Sequence, residues 1–291
     1  MKVVLVHNPA SGSEKHTERK LIKQIRRAGH EVICSIEDSR KLPAILVDGP
    51  CDAVLVAGGD GTVGRAACAV ADFSVPLAIL PLGTANNTAA TLGIRLELEL
   101  EHALDRLSGG KLVPFDIALL DDGNVRQRFC EATGWGVFVQ TMLAAERRAK
   151  QRHTGRQLEQ DRALWIDIAT RAKPREYGVQ IDGQDHSGTY LMLEVLNVPL
   201  LGPRLWVSPH GNASDGQLEV VMVPETEREA LVALASGSAL PEAPLPYVRG
   251  REVRIRAREG ALHRDGSLWR HPEGTLDFAV RLQARGVHYI A

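Results

Sequence analysis

The first 116 residues alternate between short apolar runs and longer amphipathic segments. The apolar runs at 53–57 and 77–80 hold four or five consecutive apolar side chains, as expected of strands buried on both faces. The segment 17–28 instead repeats apolar side chains at helical spacing. This alternation predicts a doubly wound parallel sheet with helices on both faces. The predicted elements are 3–7, 17–28, 31–36, 41–47, 53–57, 63–71, 77–80, 86–92 and 98–108.

After residue 116 the pattern changes to a succession of short strand-like runs separated by turns. The predicted strands are 114–120, 126–133, 177–182, 188–198, 204–207, 217–223, 252–257 and 276–283. Helical patterns interrupt them at 138–171 and again at 225–236. Strands and turns at this density predict an antiparallel β-sandwich. The chain is therefore expected to divide into an α/β domain, residues 1–116, and a β-rich domain, residues 117–279.

Composition agrees with two globular domains and excludes some partners. The chain has 291 residues, of which 44% are hydrophobic and 24% charged, which is enough for a sizeable core. The formal net charge of −1 gives no general attraction to nucleic acid. No apolar run approaches the ~18 residues of a membrane span, and a strand-like run begins at once, so we expect neither a transmembrane helix nor a signal peptide. The four cysteines show no metal-ligand spacing and are expected to be reduced, in the cytoplasm.

Two of the predicted strands end in glycine loops. Gly58-Gly59-Asp60-Gly61-Thr62 follows the first, and the sequence P-L-G-T-A-N-N, residues 81–87, ends the second. A third polar loop, 8–12, follows the strand 3–7. Bare backbone N–H groups at the carboxyl ends of parallel strands are typical of phosphate sites. A tight turn capped by an aspartate is the alternative interpretation of the first loop.

Asp60 is the unusual member of this set, because a carboxylate beside a phosphate is repulsive. A cation or a transferable proton between the two groups removes that repulsion. Asp60 therefore indicates either Mg²⁺ or proton abstraction from an acceptor hydroxyl.

The three loops and several later segments resemble the diacylglycerol kinase catalytic domain family, which includes bacterial lipid kinases and sphingosine kinases. The loops match its motifs N-P-x-S-G, G-G-D-G-T and P-L-G-T-x-N. The later segments, in the family's order, are 114–117, 129–136, 193–197, 202–203, 208–209, 214–218 and 265–266. The resemblance implies a Rossmann-like α/β domain of the NAD kinase and diacylglycerol kinase type, followed by an antiparallel β-sandwich domain for the lipid acceptor. It also implies that residues from about 280 to 291 return to the first domain.

The resemblance further implies a set of binding residues. Those assigned to ATP binding are Asn8, Pro9, Ala10, Ser11, Gly12, Gly58, Gly59, Asp60, Gly61, Thr62, Gly83 and Thr84, of which Asn8, Ser11 and Gly12 could contact phosphate or ribose. A Mg²⁺ ion, separate from the one that accompanies ATP, would be held by the Asp215 carboxylate and the carbonyls of Asn212 and Gln217. Hard oxygen ligands of this kind suit Mg²⁺ or Ca²⁺.

The catalytic base is the point at which the chain departs most from the family. The resemblance places the base in a D-G-E motif, but this chain has Asp265-Gly266-Ser267. Serine is not a general base at neutral pH without a partner. Asp265 and then Asp60 are therefore the candidates, and Glu273 lies close in sequence. Arg65 and Asn87 are two further departures, since the family often has Glu and Asp there.

We therefore expect an ATP-dependent lipid kinase that transfers the γ-phosphoryl group to a hydroxyl of a lipid such as diacylglycerol or a sphingoid base. Its cofactors would be ATP and Mg²⁺, and its lipid partner would be met at the inner membrane face. A homodimer is left open. The alternatives are an NAD kinase-like enzyme, a catalytically weak or silent nucleotide-binding regulatory protein of the same fold, and a flavodoxin-like binding domain, which would not need Asp60.

Overall fold

The computed structural model describes residues 1–11, 16–95, 100–148, 157–236, 245–258, 260–270, 274 and 276–291. The chain forms two compact units. The N-terminal unit contains Met1–Ile117 together with Ala284–Ala291, and the C-terminal unit contains Ala118–Gln283. The last strand of the chain thus begins in the C-terminal unit and ends in the N-terminal one.

The N-terminal unit is built on a parallel sheet. In chain order it contains β1 (Lys2–His7), α1 (Glu18–Arg27), β2 (Glu31–Ile36), α2 (Leu42–Asp48), β3 (Ala53–Gly58), α3 (Asp60–Val70), β4 (Leu77–Pro81), α4 (Asn87–Thr91) and α5 (Leu100–Gly109). The strand order is β4-β3-β1-β2, and all these pairs are parallel. This arrangement confirms the predicted α/β fold.

The register of this sheet places the three glycine loops at one edge. His7 at the end of β1 lies opposite Ala57, and Gly58 at the end of β3 lies opposite Pro81 at the end of β4. The strands β1, β3 and β4 are buried along nearly their whole length, as expected where helices cover both faces, whereas the edge strand β2 is largely half-buried or exposed. On one face, α1 packs its buried Leu21 and Ile25 against the sheet while its basic side chains remain exposed. Burial of such side chains stabilises the sheet by about 1.5–3 kcal/mol each.

The C-terminal unit is an antiparallel sandwich, as predicted. The strand β5 (Leu112–Asp121) enters it from the N-terminal unit. Its other elements are β6 (Arg126–Phe129), β7 (Ala132–Gly136), α6 (Val137–Arg148), α7 (Gln157–Arg171), β8 (Arg175–Ile181), β9 (Gln184–Asp185), β10 (Gly188–Tyr190), β11 (Met192–Leu196), β12 (Leu200–Leu201), β13 (Leu205–Trp206), β14 (Leu218–Val223), α8 (Arg228–Ala233), β15 (Tyr247–Gly250), β16 (Glu252–Ala257), β17 (Ala261–Arg264), β18 (Ser267–Arg270) and β19 (Leu276–Ile290).

Two sheets of this unit share one apolar core. One has the order β15-β14-β11-β7-β17-β18, and the strands β10-β8-β16-β19 belong to the other. Side chains from both meet in the core, and the largest fully buried ones are Trp135, Tyr177 and Phe129. The two inner faces therefore interdigitate as in other sandwiches.

Several boundaries in the C-terminal unit differ from the predicted ones. The predicted strand 126–133 is divided into β6 and β7, and the predicted helix 138–171 contains α6 and α7, with 149–156 outside the described residues. The strands β15, β17 and β18 were not predicted. Each has only four residues, and strands this short leave little periodicity to detect.

Candidate functional site

The three glycine loops of the N-terminal unit contact one another directly. The Asn8 side chain donates a hydrogen bond to Thr62 Oγ1 at 3.3 Å. The backbone N–H of Leu82 donates to the Gly58 carbonyl at 2.9 Å. Asn8 also closes its own loop, because its Oδ1 accepts the N–H of Ala10 at 3.0 Å. The loops that follow β1, β3 and β4 thus form one connected surface at the carboxyl edge of the sheet.

The glycines of the second and third loops are required by this close approach. A Cβ on Gly83 would lie 2.4 Å from Gly59 Cα, and a Cβ on Gly59 would lie 2.9 Å from Gly83 Cα. A Cβ on Gly58 would lie 2.7 Å from the Thr62 side chain. From the sequence, these glycines are expected to offer bare backbone N–H groups to phosphate. The structure shows that glycine is also required for folding, since the loops could not pack against each other with any side chain at Gly59 or Gly83.

Asp60 and Asn86 hold the loops in place. Asp60 is the first residue of α3, and its Oδ1 accepts the N–H of Thr88 at the start of α4, at 3.2 Å. Asn86 is buried in the left-handed conformation, with φ of 54°. Its Oδ1 accepts the N–H of Gly83 at 2.9 Å, and its Nδ2 donates to the Gly83 carbonyl at 2.8 Å. Asn86 ends the P-L-G-T-x-N motif, but no role was assigned to it from the sequence, although asparagine is among the few residues that tolerate this conformation.

Positive charge is present where the second loop becomes a helix. The eleven-residue helix α3 begins at Asp60, so the partial positive charge of its N-terminus lies at the loop. Arg65, one turn later, places Nη1 only 3.3 Å from where a Cβ on Gly61 would be. Arg65 departs from the family pattern, which often has Glu at this position. The structure nevertheless places the Arg65 guanidinium beside the glycine loop. A guanidinium is well suited to a phosphate oxygen.

We expect Gly83→Ala to lower the free energy of unfolding of the protein by about 1–3 kcal/mol, because the added Cβ has no room beside Gly59 and Asn86. Gly49→Ala is the matched control, since a Cβ at Gly49 meets nothing within 4 Å and its backbone is extended. Urea denaturation of both variants measures the difference. Equal stability of the two variants would contradict the close loop contact.

The remaining predicted phosphate ligands differ in exposure. Pro9, Ala10 and Thr84 are exposed, and Ser11 is partly buried, with its N–H donating to the Asn8 carbonyl at 3.0 Å. Gly12 lies outside the described residues, as does Glu273, the other carboxylate considered for the base.

Asp265 lies in the C-terminal unit, in the two-residue turn that joins β17 to β18. Asp265 and Gly266 have φ of 44° and 71°, which fits the Asp-Gly turn favoured in β-hairpins. Its carboxylate accepts three backbone N–H groups, from Cys130, Glu131 and Ala132, at 2.7–3.2 Å. A carboxylate has about four acceptor positions, so about one is left for other chemistry. Burial raises the pKa of Asp265, while these N–H groups act in the opposite direction.

The segment that Asp265 contacts is also held by Asn197, the residue that follows β11. Asn197 donates from Nδ2 to the Cys130 carbonyl at 2.7 Å and from its backbone N–H to the Glu131 carbonyl at 2.8 Å. The residues 129–136, 193–197 and 265–266, far apart in sequence, therefore form one hydrogen-bonded cluster. Sequence reasoning recognised the three segments but could not connect them.

Asn212, Asp215 and Gln217, the predicted metal ligands, lie in the turn before β14. The Asp215 Oδ1 accepts the N–H of Gln217 at 3.0 Å, and its Oδ2 accepts a hydrogen bond from the Arg249 guanidinium. The Asn212 carbonyl accepts the Asp215 N–H at 3.4 Å. Both oxygens of the carboxylate thus have donors already, one of them cationic. As arranged, these residues do not fit a divalent cation.

A parallel α/β unit with glycine loops at one edge of its sheet, followed by an antiparallel sandwich, is the architecture shared by diacylglycerol kinases and NAD kinases. Residues 2–120 match the family model of the diacylglycerol kinase catalytic domain. Residues 143–276 match the YegS C-terminal NAD kinase beta sandwich-like domain. The chain belongs to the diacylglycerol kinase catalytic domain family, which is a family of lipid kinases.

Individual relatives agree with this assignment. A diacylglycerol kinase from Mycobacterium tuberculosis (strain ATCC 25618 / H37Rv) is 27% identical, over 80% of this chain and 76% of that protein. A diacylglycerol kinase structure from Bacillus anthracis str. Sterne superposes with a TM-score of 0.75, at 23% identity, over 99% of this chain and 96% of that one. An NAD kinase from Archaeoglobus fulgidus in complex with ATP has a TM-score of 0.52, at 12% identity, over 100% and 94%. The two structures show the shared fold.

Within the described part of the chain, no helix is both long enough and apolar enough to cross a bilayer.

Proposed function

We propose that this protein is an ATP-dependent lipid kinase that transfers the γ-phosphoryl group to a hydroxyl of a lipid such as diacylglycerol or a sphingoid base. The observation that supports this proposal most strongly is the direct contact among the three glycine loops. They present backbone, an asparagine and a threonine hydroxyl at the carboxyl edge of a parallel sheet, and ligands bind at such edges.

The residues of this edge fit a triphosphate. The backbone of Gly58–Thr62 and of Gly83–Thr84 would hold it, with the N-terminus of α3 and the Arg65 guanidinium supplying positive charge. ATP, when bound with Mg²⁺, supplies the phosphoryl group and the charge neutralisation. The protein's own task is then to bind, to orient the acceptor and to exclude water.

Two carboxylates are proposed for the proton of the acceptor hydroxyl. Asp265 is the first candidate, with about one acceptor position left after its three backbone N–H bonds. Burial raises the pKa of this carboxyl, which makes the carboxylate a stronger proton acceptor than an exposed one. Asp60 is the second candidate, and it would otherwise hold the cation that accompanies the phosphates.

Because ATP and Mg²⁺ are cytoplasmic and the acceptor is a lipid, the reaction would take place at the inner face of the membrane. Presenting the acceptor both in detergent micelles and in phospholipid vesicles tests this location. Transfer from micelles without any transfer from vesicles would contradict it.

The proposal is tested by incubating the protein with radiolabelled ATP, Mg²⁺ and one acceptor at a time. The acceptors are diacylglycerol, sphingosine, phosphatidylglycerol and NAD, and the products are separated by thin-layer chromatography. We expect label in a lipid product. Label in NAD alone would instead support the NAD kinase-like alternative. Binding of ATP–Mg²⁺ in a thermal shift assay, without transfer to any acceptor, would refute the enzymatic proposal.

A catalytically silent nucleotide-binding protein is the second candidate, and one observation favours it. Most of the hydrogen-bonding capacity of Asp265 is used to hold the segment that joins β6 to β7. Ser267, where the family has Glu, is exposed at the start of β18 and cannot supply the missing carboxylate.

The variant Ser267→Glu separates the two candidates. Since Ser267 is exposed, the substitution should change the free energy of unfolding by no more than about 0.5 kcal/mol. If Asp265 and Asp60 suffice for catalysis, as we propose, the initial rate of lipid phosphorylation will not increase. A protein that is inactive until Glu replaces Ser267 would show that the natural chain lacks its base. Ser267→Gln, which adds similar bulk without the charge, is the control.

A further inference from the structure

One arginine joins two carboxylates in the C-terminal unit. Glu219 on β14 is only 3% exposed, and in the antiparallel register it lies directly opposite Arg249 on β15. The Arg249 Nε is 3.8 Å from Glu219 Oε1. The same guanidinium donates from Nη2 to Asp215 Oδ2. Arg249 thus lies between a buried carboxylate on a strand and a partly buried one in the preceding turn.

Glu219 needs this positive charge because it is almost completely removed from water. Its Oε2 accepts a hydrogen bond from the buried Ser208 hydroxyl. A Cβ on Gly211 would lie 2.9 Å from the same oxygen, so the backbone closes over the carboxylate on that side. Burial raises the pKa of Glu219, and the Ser208 hydroxyl and the Arg249 guanidinium act in the opposite direction. A buried carboxylate is costly unless it is both paired and hydrogen-bonded.

This is the turn in which the family resemblance implies a divalent cation. Such an ion would need the Asp215 carboxylate and would have to lie beside the guanidinium that already contacts it. Two positive charges about 4 Å apart repel each other by several kcal/mol near a protein surface. Mg²⁺ also demands a nearly regular octahedron of oxygens, whereas both Asp215 oxygens have N–H donors.

We propose that the Arg249 guanidinium is the resident cation of this acidic cluster, so that the natural protein binds no divalent ion at Asp215. A guanidinium suits this place because its planar set of donors can contact two carboxylates at once. Being covalently attached, it is present at every metal concentration. The turn before β14 would then keep its conformation without Mg²⁺.

The test is Mn²⁺ binding to the nucleotide-free protein, measured by electron paramagnetic resonance of the free ion. We compare the natural protein with Asp215→Asn, Arg249→Met and Arg249→Lys. The natural protein and Asp215→Asn should bind Mn²⁺ in equal amounts, because neither has a site at residue 215. Arg249→Met exposes two uncompensated carboxylates and should bind one additional ion, whereas Arg249→Lys keeps the charge and should not.

Thermal unfolding gives a second readout of the same variants. The melting temperature of the natural protein should be the same in EDTA and in Mg²⁺. Arg249→Met should melt several degrees lower in EDTA and recover in Mg²⁺ or Mn²⁺. The proposal is overturned if the natural protein binds one more Mn²⁺ than Asp215→Asn does, or if folded Arg249→Met gains no ion. Should Arg249→Met fail to fold, the natural protein, Asp215→Asn and Arg249→Lys still decide the question. None of these measurements depends on kinase activity.

Discussion

Asp60→Asn should lower lipid phosphorylation by at least about 10²-fold, as expected when a proton acceptor or the ligand of an essential cation is lost. Asparagine keeps the shape of the side chain and an oxygen that can accept the N–H of Thr88. The fold should therefore be retained, with a loss of only about 0.3–1 kcal/mol from the missing negative charge at the start of α3.

The same substitution should change how ATP binding depends on Mg²⁺. With ATP bound as proposed, the Asp60 carboxylate would repel metal-free ATP, and a divalent cation would relieve that repulsion. Without the carboxylate, metal-free ATP should bind at least as tightly as before, and the gain from Mg²⁺ should shrink. Isothermal titration of ATP with and without Mg²⁺ measures this difference.

Asp105→Asn is the matched control, because it removes an exposed carboxylate of α5 from the same unit. It should leave both transfer and ATP binding unchanged. Near-normal transfer by Asp60→Asn, under conditions in which the natural protein is active, would remove Asp60 from the proposed mechanism.

His263→Leu should lower the free energy of unfolding by about 3–5 kcal/mol, because it leaves a buried carboxylate without its partner. His263 and Glu194 are both fully buried, and their Nε2 and Oε2 atoms are 2.6 Å apart. They lie on β17 and β11, on either side of Gly134 in β7. The pair can form only because the middle strand has no side chain there. A Cβ on Gly134 would lie 2.1 Å from Glu194 Oε2.

A double-mutant cycle measures the interaction free energy between Glu194 and His263 separately from the packing of each side chain. Glu194→Leu combined with His263→Leu should cost less than the two single changes added together, since the double variant leaves no buried charge unpaired. The exposed His102→Leu on α5 is the control for removing a histidine. Additive effects of the two single changes would show that the pair carries no coupling energy.

The pair also predicts a pH dependence of stability. Burial raises the pKa of Glu194, and His263 opposes this shift. A carboxyl group whose pKa is raised by folding contributes its stability below its unfolded pKa and loses it as the pH rises through the folded pKa. The free energy of unfolding of the natural protein should decrease over that range, and Glu194→Gln should lack this decrease. Urea denaturation at a series of pH values measures both.

The three glycine loops could be located from the sequence because their signal is local. Buried parallel strands are continuous apolar runs, and the loops that follow them in this chain are glycine-rich. The direction of parallel strands then requires those loops to meet at one edge. The packing reason why residues 59 and 83 must be glycine could not be inferred this way, because it is a contact between residues that are twenty-four positions apart.

The surroundings of Asp265, the proposed base, and of Asp215, the predicted metal ligand, were harder to predict because their hydrogen-bond partners come from distant segments. Asp265 could be seen as a carboxylate in a family motif, but its hydrogen bonds go to residues 130–132. Asp215 could be seen as a hard oxygen ligand, but its charge partner is Arg249 on a strand that was not predicted. In both cases the sequence shows a carboxylate, but it does not show which donors already bind that carboxylate.

Hydrophobic periodicity and glycine placement, which act over a few residues, were sufficient to define the α/β sheet, the sandwich and the three loops. The pairing of β14 with β15 and of β7 with β11 and β17 depends on register between distant segments, and no local pattern encodes it. That register places Arg249 opposite Glu219 and His263 across Gly134 from Glu194. It therefore decides which buried charges are compensated, and by which side chain, in this kinase-family protein.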